Sequence, residues 1–256
     1  MNDSHLDKYA RLVVKSGVNL LAGQTLVITS PIECSPFARM IAEAAYKEGA
    51  REVVVSWKDE LLAKIRFLHA PEEVFDEFPQ WQKEMYLSYM RQGAAFISIA
   101  ASDPELMKDV EPGRLVKAHK AASKALEEYR EKLMANLNAW CVVSVPTVSW
   151  AQKVFPERGG EEAVDRLWQA IISAVRADAE DPVSEWAEHK ENLRKRREFL
   201  NNSRFRYLVF QNSLGTDLKV ELPENHIWLG GSSLTKGGVE FIPNLPTEEV
   251  FTMPKK

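Results

Sequence analysis

Two adjacent carboxylates near the end of the 256-residue chain, Glu248 and Glu249, are the side chains whose type and spacing best suit chemistry. They lie in Pro243-Asn-Leu-Pro-Thr-Glu-Glu-Val-Phe-Thr-Met-Pro254, where prolines bracket a β-prone core, Val250-Phe251-Thr252. Side chains alternate across a strand, so neighbouring glutamates point to opposite faces. With Glu249 opposite Val250, Glu249 shares a face with Thr247 and Phe251, and Glu248 joins Val250 and Thr252. One carboxylate is then expected to turn inward, where it needs a cation, an arginine or several hydrogen bonds. On pattern alone the plainer reading is a surface strand entering a turn, with both glutamates solvated. Other chemistries find less support. The histidines at 5, 69, 119, 189 and 226 show no HExxH and no paired ligand spacing. His226 is the nearest to the acidic pair among strand-like neighbours, which favours a structural or surface role. No Gly-x-Ser-x-Gly elbow is present, so a serine hydrolase is unsupported.

The elements that must position this pair begin with an amphipathic helix over residues 3–21, where Leu6, Tyr9, Ala10, Val13, Val14 and Gly17 recur at helical spacing. Four apolar, β-branched runs follow as strands, at 25–30, 52–57, 94–100 and 139–145, separated by helix-length segments. Strands alternating with helices predict a three-layer α/β domain with a mostly parallel sheet. In the first crossover, Ser35 is a natural N-cap, Pro36 fits the first helical position and Gly49 fits the left-handed residue after the helix. The preceding turn has neither Gly-x-Gly-x-x-Gly nor a Walker sequence, so nucleotide binding is disfavoured. Cys34 beside it reads as a packed thiol. Residues 58–92 predict helices broken at Pro71 and Pro79, with an aromatic and methionine stripe suited to core or subunit contact. Ser102-Asp-Pro-Glu-Leu106 reads as a helix start, residues 112–137 as one long charged helix, and 150–155 with 158–160 as loop. Helices follow at 161–176 and 182–200, the second ending in the basic run Arg194-Lys-Arg-Arg197, read as a solvated face. Composition shifts at Asn201-Asn202-Ser203, where a domain boundary is placed near residue 202. A β-hairpin over 205–210 and 217–222 comes next.

Composition narrows the class. The chain is 45% hydrophobic and 27% charged, with net charge −4 and pI about 5.8, so no basic field invites nucleic acid or anionic lipid. The polar, acidic start lacks the pattern of a signal peptide, and no apolar run approaches a membrane span. Cys34 and Cys141 are far apart and read as reduced thiols, so a cytoplasmic location is expected.

The run Asn244-Leu-Pro-Thr-Glu-Glu-Val-Phe-Thr252, closed by Pro254, resembles the first metal-ligand motif of the thermophilic aminopeptidase family, the aminopeptidase T and aminopeptidase S type. Glu221-Leu-Pro-Glu-Asn-His-Ile-Trp-Leu-Gly-Gly231 resembles the same family at the expected distance upstream, and the likeness covers essentially the whole chain. The resemblance implies a homodimeric metallo-exopeptidase with two divalent metals (zinc, cobalt or manganese) that removes N-terminal residues from short peptides. It puts the metal-ligand role on Glu249, with Glu248 as the fallback. The family's other site residues lie downstream of the motif, and this sequence ends at Lys256, seven residues past Glu249. Residues 1–202 are thus expected to be an N-terminal α/β domain, and 203–256 the first strands of a truncated catalytic domain. Such a chain should fold without cleaving peptides, because even a catalytic zinc normally takes three protein ligands. The competing reading is a non-catalytic α/β binding or dimerisation module of the same ancestry. That reading predicts a well-formed pocket within residues 1–202, whereas the truncated-enzyme reading predicts an exposed apolar edge in 203–256.

Overall fold

The computed structural model describes residues 3–101, 103 and 105–255. The chain opens with α1 (Asp3–Leu12), which runs into a π-helical turn at Val13–Gly17. Then come β1 (Thr25–Pro31), α2 (Ser35–Lys47), β2 (Glu52–Lys58), α3 (Glu60–His69) and α4 (Gln80–Arg91). These are followed by β3 (Ala95–Ala100), α5 (Pro112–Ala125), α6 (Glu127–Met134) and β4 (Trp140–Ser144). The helices α7 (Val148–Val154), α8 (Gly160–Ala174) and α9 (Pro182–Ser203) lead into the β-rich end. There β5 (Tyr207–Gln211) and β6 (Asp217–Glu221) form an antiparallel hairpin. Five two-residue strands close the chain: β7 (Leu229–Gly230), β8 (Ser233–Leu234), β9 (Glu240–Phe241), β10 (Asn244–Leu245) and β11 (Val250–Phe251).

The central sheet has the order β10-β4-β3-β1-β2, and every pair in it is parallel. The expected α/β fold is therefore present, with the four anticipated strands matching β1 to β4 almost residue for residue. Alternation explains why both faces are covered. Leu26 and Ile28 of β1, Ile97 and Ile99 of β3, and Cys141 and Val143 of β4 share one buried cluster with Leu12, Ile41 and Leu167 from α1, α2 and α8. The residues between them point the other way. Val27 and Phe96 pack with Leu87 and Met90 of α4, against Tyr129 and Leu133 of α6.

The fifth strand comes from the acidic motif itself. Asn244 and Leu245 pair with Val142 and Val143, and the Val142 N–H donates to the Pro243 carbonyl at 2.8 Å. Leu245 is buried in the larger cluster beside Gly17. A Cβ at Gly17 would sit 3.0 Å from Cys141 Sγ and 3.4 Å from Leu245 Cδ1, and the Gly17 carbonyl accepts from the Ile242 N–H at 2.7 Å. The absence of a side chain at Gly17 therefore lets the returning chain dock on the sheet edge.

Several local expectations need correction. Residues 150–155 are not loop: α7 covers Val148–Val154, capped by Thr147 Oγ1, which accepts from the Trp150 N–H at 3.4 Å. The helix expected over 112–137 is two, α5 and α6, which meet at Leu126. The first helix stops at Gly17 rather than residue 21. Ser35 is the first residue of α2 and follows a 3-10 turn at Ile32–Cys34, so it does not serve as the cap. Ser102 and Pro104, in the helix start expected after β3, lie outside the described residues; 105–109 are turns.

Candidate active-site cavity

Past β10 the chain leaves the sheet at the carboxyl ends of its strands, the edge where open α/β sheets commonly bind ligands. Pro246-Thr-Glu-Glu249 is a bend followed by irregular chain, and pairing resumes only at β11, where Val250 faces Gly230 and Phe251 faces Leu229 antiparallel. The strand alternation nevertheless holds. Thr247, Glu249 and Phe251 line one cavity, while Val250 lines a separate shallow hollow with Lys195, Arg196, Phe199 and Leu200. The expectation that one glutamate turns into the protein is corrected. Both Glu248 and Glu249 are exposed, and the side chain taken inside is Thr247. The segment runs across the surface between α9 and β7, so its inward face meets an open cavity instead of core.

Glu248 is tied down by groups far away in sequence. Arg176 Nη1 donates to its Oε1 at 2.7 Å, and His189 Nε2 lies 3.4 Å from Oε2. His189 Nε2 also meets the Thr247 carbonyl at 2.8 Å, while Arg176 Nη2 stands 3.3 Å from His189 Nδ1. A carbonyl accepts only from a protonated Nε2, and a guanidinium donor calls for a bare Nδ1, so these partners suit the Nε2–H tautomer. Below them, Arg176 stacks on the Trp186 ring with 5.2 Å from its carbon to the centroid, and the buried indole donates to the Val175 carbonyl at 2.7 Å. The Arg176 hydrogen bond holds the Glu248 carboxyl below the usual carboxylate range. Glu249 has no such anchor; its Oε2 accepts from the Glu248 N–H at 3.1 Å and otherwise faces the cavity.

The cavity encloses about 540 Å³ between α9, the end of α6, β4 and the strands from β7 to β11. Trp140, Leu229, Leu234 and Phe251 supply apolar wall, and Arg197, Glu240 and Glu249 supply charge. Glu240 is bound by Lys190 Nζ at 2.8 Å and by Ser232 Oγ at 2.6 Å. Burial opposes its ionisation, yet those two bonds outweigh it and leave the carboxyl below its ordinary range. The two glycines of the Ile-Trp-Leu-Gly-Gly run set the geometry. A Cβ at Gly230 (φ +145°) would lie 2.5 Å from the Glu249 carbonyl oxygen and 2.9 Å from Val250 Cα. A Cβ at Gly231 (φ +83°) would lie 3.1 Å from Leu193 Cβ. Bare backbone here lets β11, and Glu249 with it, lie flat on β7 and α9.

The described residues do not by themselves make up a metal centre. Among the described residues no group of three or more His, Cys, Asp and Glu side chains could hold a metal ion. Glu249 accepts from the Glu248 N–H and pairs with no cation among the described residues, Glu240 is committed to Lys190, and His189 is used beneath the loop. His226 Nδ1 sits 2.7 Å from the Pro223 carbonyl, in keeping with a structural role. Sequence reasoning missed Arg176, His189, Glu240 and Arg197; only Arg197 carried a usable signal, its spacing from Trp186 and Leu193 on one face of α9.

Fold and site together define a three-layer α/β protein with a free carboxylate on a cavity beyond the edge of its sheet. The family model described as "Thermophilic metalloprotease (M29)" matches residues 2–256, and the chain belongs to that metalloprotease family. It is 47% identical over 254 residues to Aminopeptidase 2 of Geobacillus stearothermophilus, covering 99% of this chain and 61% of the relative. It is 42% identical over 252 residues to Aminopeptidase T of Thermus thermophilus, covering 98% of this chain and 62% of the relative. The solved structure of wild-type AmpT from Thermus thermophilus superposes with a TM-score of 0.92 at 40% identity, over 98% of this chain and 62% of that one. The chain thus spans about three-fifths of the length of these relatives. Among the described residues no helix is long and apolar enough to cross a membrane.

Proposed function

We propose that these residues belong to a metal-dependent aminopeptidase that removes N-terminal residues from short peptides, with Glu249 giving a carboxylate oxygen to one of two divalent ions (zinc, cobalt or manganese). In such centres the metals activate a water and polarise the scissile carbonyl. The observation that carries the reading is the division of labour in the acidic pair: Glu248 is spent on Arg176 and His189, and Glu249 stands free on the cavity. Ligand number argues that the 256-residue span does not turn over peptides by itself.

A longer enzyme is favoured over a self-contained binding module by the β-rich end. Tyr207, Val209, Phe210 and Leu218 of the hairpin are each at least half exposed, and Leu214 at its tip is 93% exposed. A two-stranded hairpin is marginal in water without a partner for its apolar face. The cavity beside Glu249 is lined mainly by residues after 202, whereas the larger hollow of about 920 Å³ within residues 1–202, between Phe67 and α5, is a shallow apolar groove without a carboxylate. We take residues 1–202 as the α/β domain and 203–256 as the first strands of the catalytic domain, with β10 of the latter completing the sheet of the former. A cytoplasmic homodimer, binding neither nucleic acid nor membrane, completes the proposal.

The test compares four proteins on an amino-acyl chromogenic substrate with added cobalt, folding being checked by circular dichroism. They are the 256-residue chain, a longer protein carrying the downstream region of the relatives, and the longer protein with Glu249→Ala or Glu248→Ala. Turnover is expected in the longer protein, with most of it lost in Glu249→Ala and much less in Glu248→Ala. Robust metal-dependent turnover by the 256-residue chain would overturn the incomplete-site reading. A severe Glu248→Ala would transfer the ligand role to Glu248.

A further inference from the structure

We propose that the cavity beside Glu249 recognises the free C-terminal carboxylate of a short peptide through Arg197. The choice of a peptide rests on the aminopeptidase reading, whereas the anion site rests on the cavity's own chemistry.

Arg197 belongs to the basic run at the end of α9, but its neighbours there are differently employed. Arg194 is paired with Glu191 and Glu198, and Lys195 approaches Glu191 at 3.9 Å. Arg197 instead falls on the stripe of α9 that carries Trp186, Lys190 and Leu193, since residues three and four apart share a helix face. Trp186 and Leu193 on that stripe are buried, and Lys190 holds Glu240. The stripe delivers the Arg197 guanidinium, half-buried, to the cavity wall, where none of the ion pairs or hydrogen bonds among the described residues involves it. A guanidinium keeps its charge at any ordinary pH, and taking it partly out of water is costly unless an anion meets it.

The obvious internal anions do not serve. Glu240 acts on Arg197 only at a distance, its oxygens being occupied by Lys190 and Ser232. Glu249 lines the same cavity as Arg197, and no ion pair joins the two among the described residues. A free carboxylate and a free guanidinium across an apolar-walled cavity of about 540 Å³ are complementary to a small zwitterion. The Trp140 ring lines the same wall, and its buried indole N–H, which has no acceptor, is a reporter of what enters the cavity. A planar guanidinium presents paired donors that match a carboxylate's two oxygens. The peptide's carboxylate therefore goes to Arg197, its apolar side chains to Trp140, Leu229, Leu234 and Phe251, and its amino end toward Glu249.

The experiment uses the 256-residue chain with nitrogen-15 label, following the assigned Trp140 indole and Arg197 side-chain signals by NMR. The probes are Leu-Gly-Gly with a free carboxylate, the same peptide as its C-terminal amide, and acetate. The free acid is expected to move both signals and to bind at least about tenfold more tightly than the amide, equivalent to about 1.4 kcal/mol. Arg197→Gln should abolish that preference and Arg197→Lys should restore part of it, with folding of each variant checked by circular dichroism. Equal binding of acid and amide, binding of neither, or a preference that survives Arg197→Gln overturns the proposal. Acetate binding as tightly as the peptide would reduce the site to a simple anion site and overturn the peptide assignment. Because no turnover or metal is involved, loss of the aminopeptidase reading and loss of the Arg197 assignment are separately visible.

Discussion

Replacing Gly230 with alanine should lift β11 off β7 and release Glu249 while leaving the central sheet intact. The new methyl would sit 2.5 Å from the Glu249 carbonyl oxygen, whereas close carbon–oxygen contacts lie near about 3.3 Å, so the backbones must part by roughly 0.8 Å. No flexible side chain can yield, since the nearest atoms are backbone. Gly230 also sits at φ +145°, and holding an ordinary residue in such a region costs on the order of 1–3 kcal/mol. Overpacking adds about 1–3 kcal/mol more. Against this, the pairing consists of two residues on each strand, helped by the Thr252 hydroxyl, which donates to the Ile227 carbonyl at 2.9 Å. Hydrogen bonds of this kind contribute about 0.5–1.5 kcal/mol each, so separation of the strands relieves more than it forfeits. Hydrogen exchange is the assay, read amide by amide. Protection at residues 250–252 should fall about 10- to 100-fold in Gly230→Ala, with the amides of β1, β3 and β4 unchanged. Unaltered protection at 250–252 would refute the argument that bare backbone at Gly230 seats the acidic loop.

Other consequences are as specific. Burial, with Glu33 and Glu60 adding to it, pushes the Cys34 thiol up to about 12, and burial alone raises Cys141. A thiol reagent at pH 8 should therefore react slowly with the native chain and quickly with two thiols in the denatured, unreduced chain; no free thiol on denaturation would contradict the structure. The depressed carboxyl of Glu240 stabilises the fold above its unfolded value, and that contribution is lost as pH falls through the lower folded value. Glu240→Gln should accordingly flatten the acid limb of a stability–pH curve below about pH 4.5, and an unchanged limb would show that the Lys190 and Ser232 bonds contribute nothing there.

The parts of the fold legible in sequence are those where period and burial agree. Leu26, Val27 and Ile28, or Phe96 and Ile97, alternate between two buried faces, and a run of such residues has few other uses. By contrast, β10 is two residues ahead of a proline, too short to show any period, and its identity as a strand depends on Val142 and Val143, about a hundred positions earlier. The break between α5 and α6 at Leu126 carries neither glycine nor proline to announce it. At the site, alternation in the motif grouped Thr247 with Glu249 and Phe251, and these three do line one cavity. It could not foresee that the protein beneath that face is hollow. Arg176 and His189 lie 72 and 58 residues from their partners in the loop, a distance over which only the folded chain brings them together. Arg197 was hidden by company, since a run of four basic residues looks uniformly solvated until helical spacing separates its members.

The assignment of Glu249 as a metal ligand is tested most directly by metal content. The longer protein, carrying the downstream region of its relatives, should be loaded with cobalt, dialysed and measured for bound metal alongside its Glu249→Ala and Glu248→Ala variants. The account predicts that the parent and Glu248→Ala retain two equivalents and that Glu249→Ala loses at least one. Two equivalents retained by Glu249→Ala would contradict it.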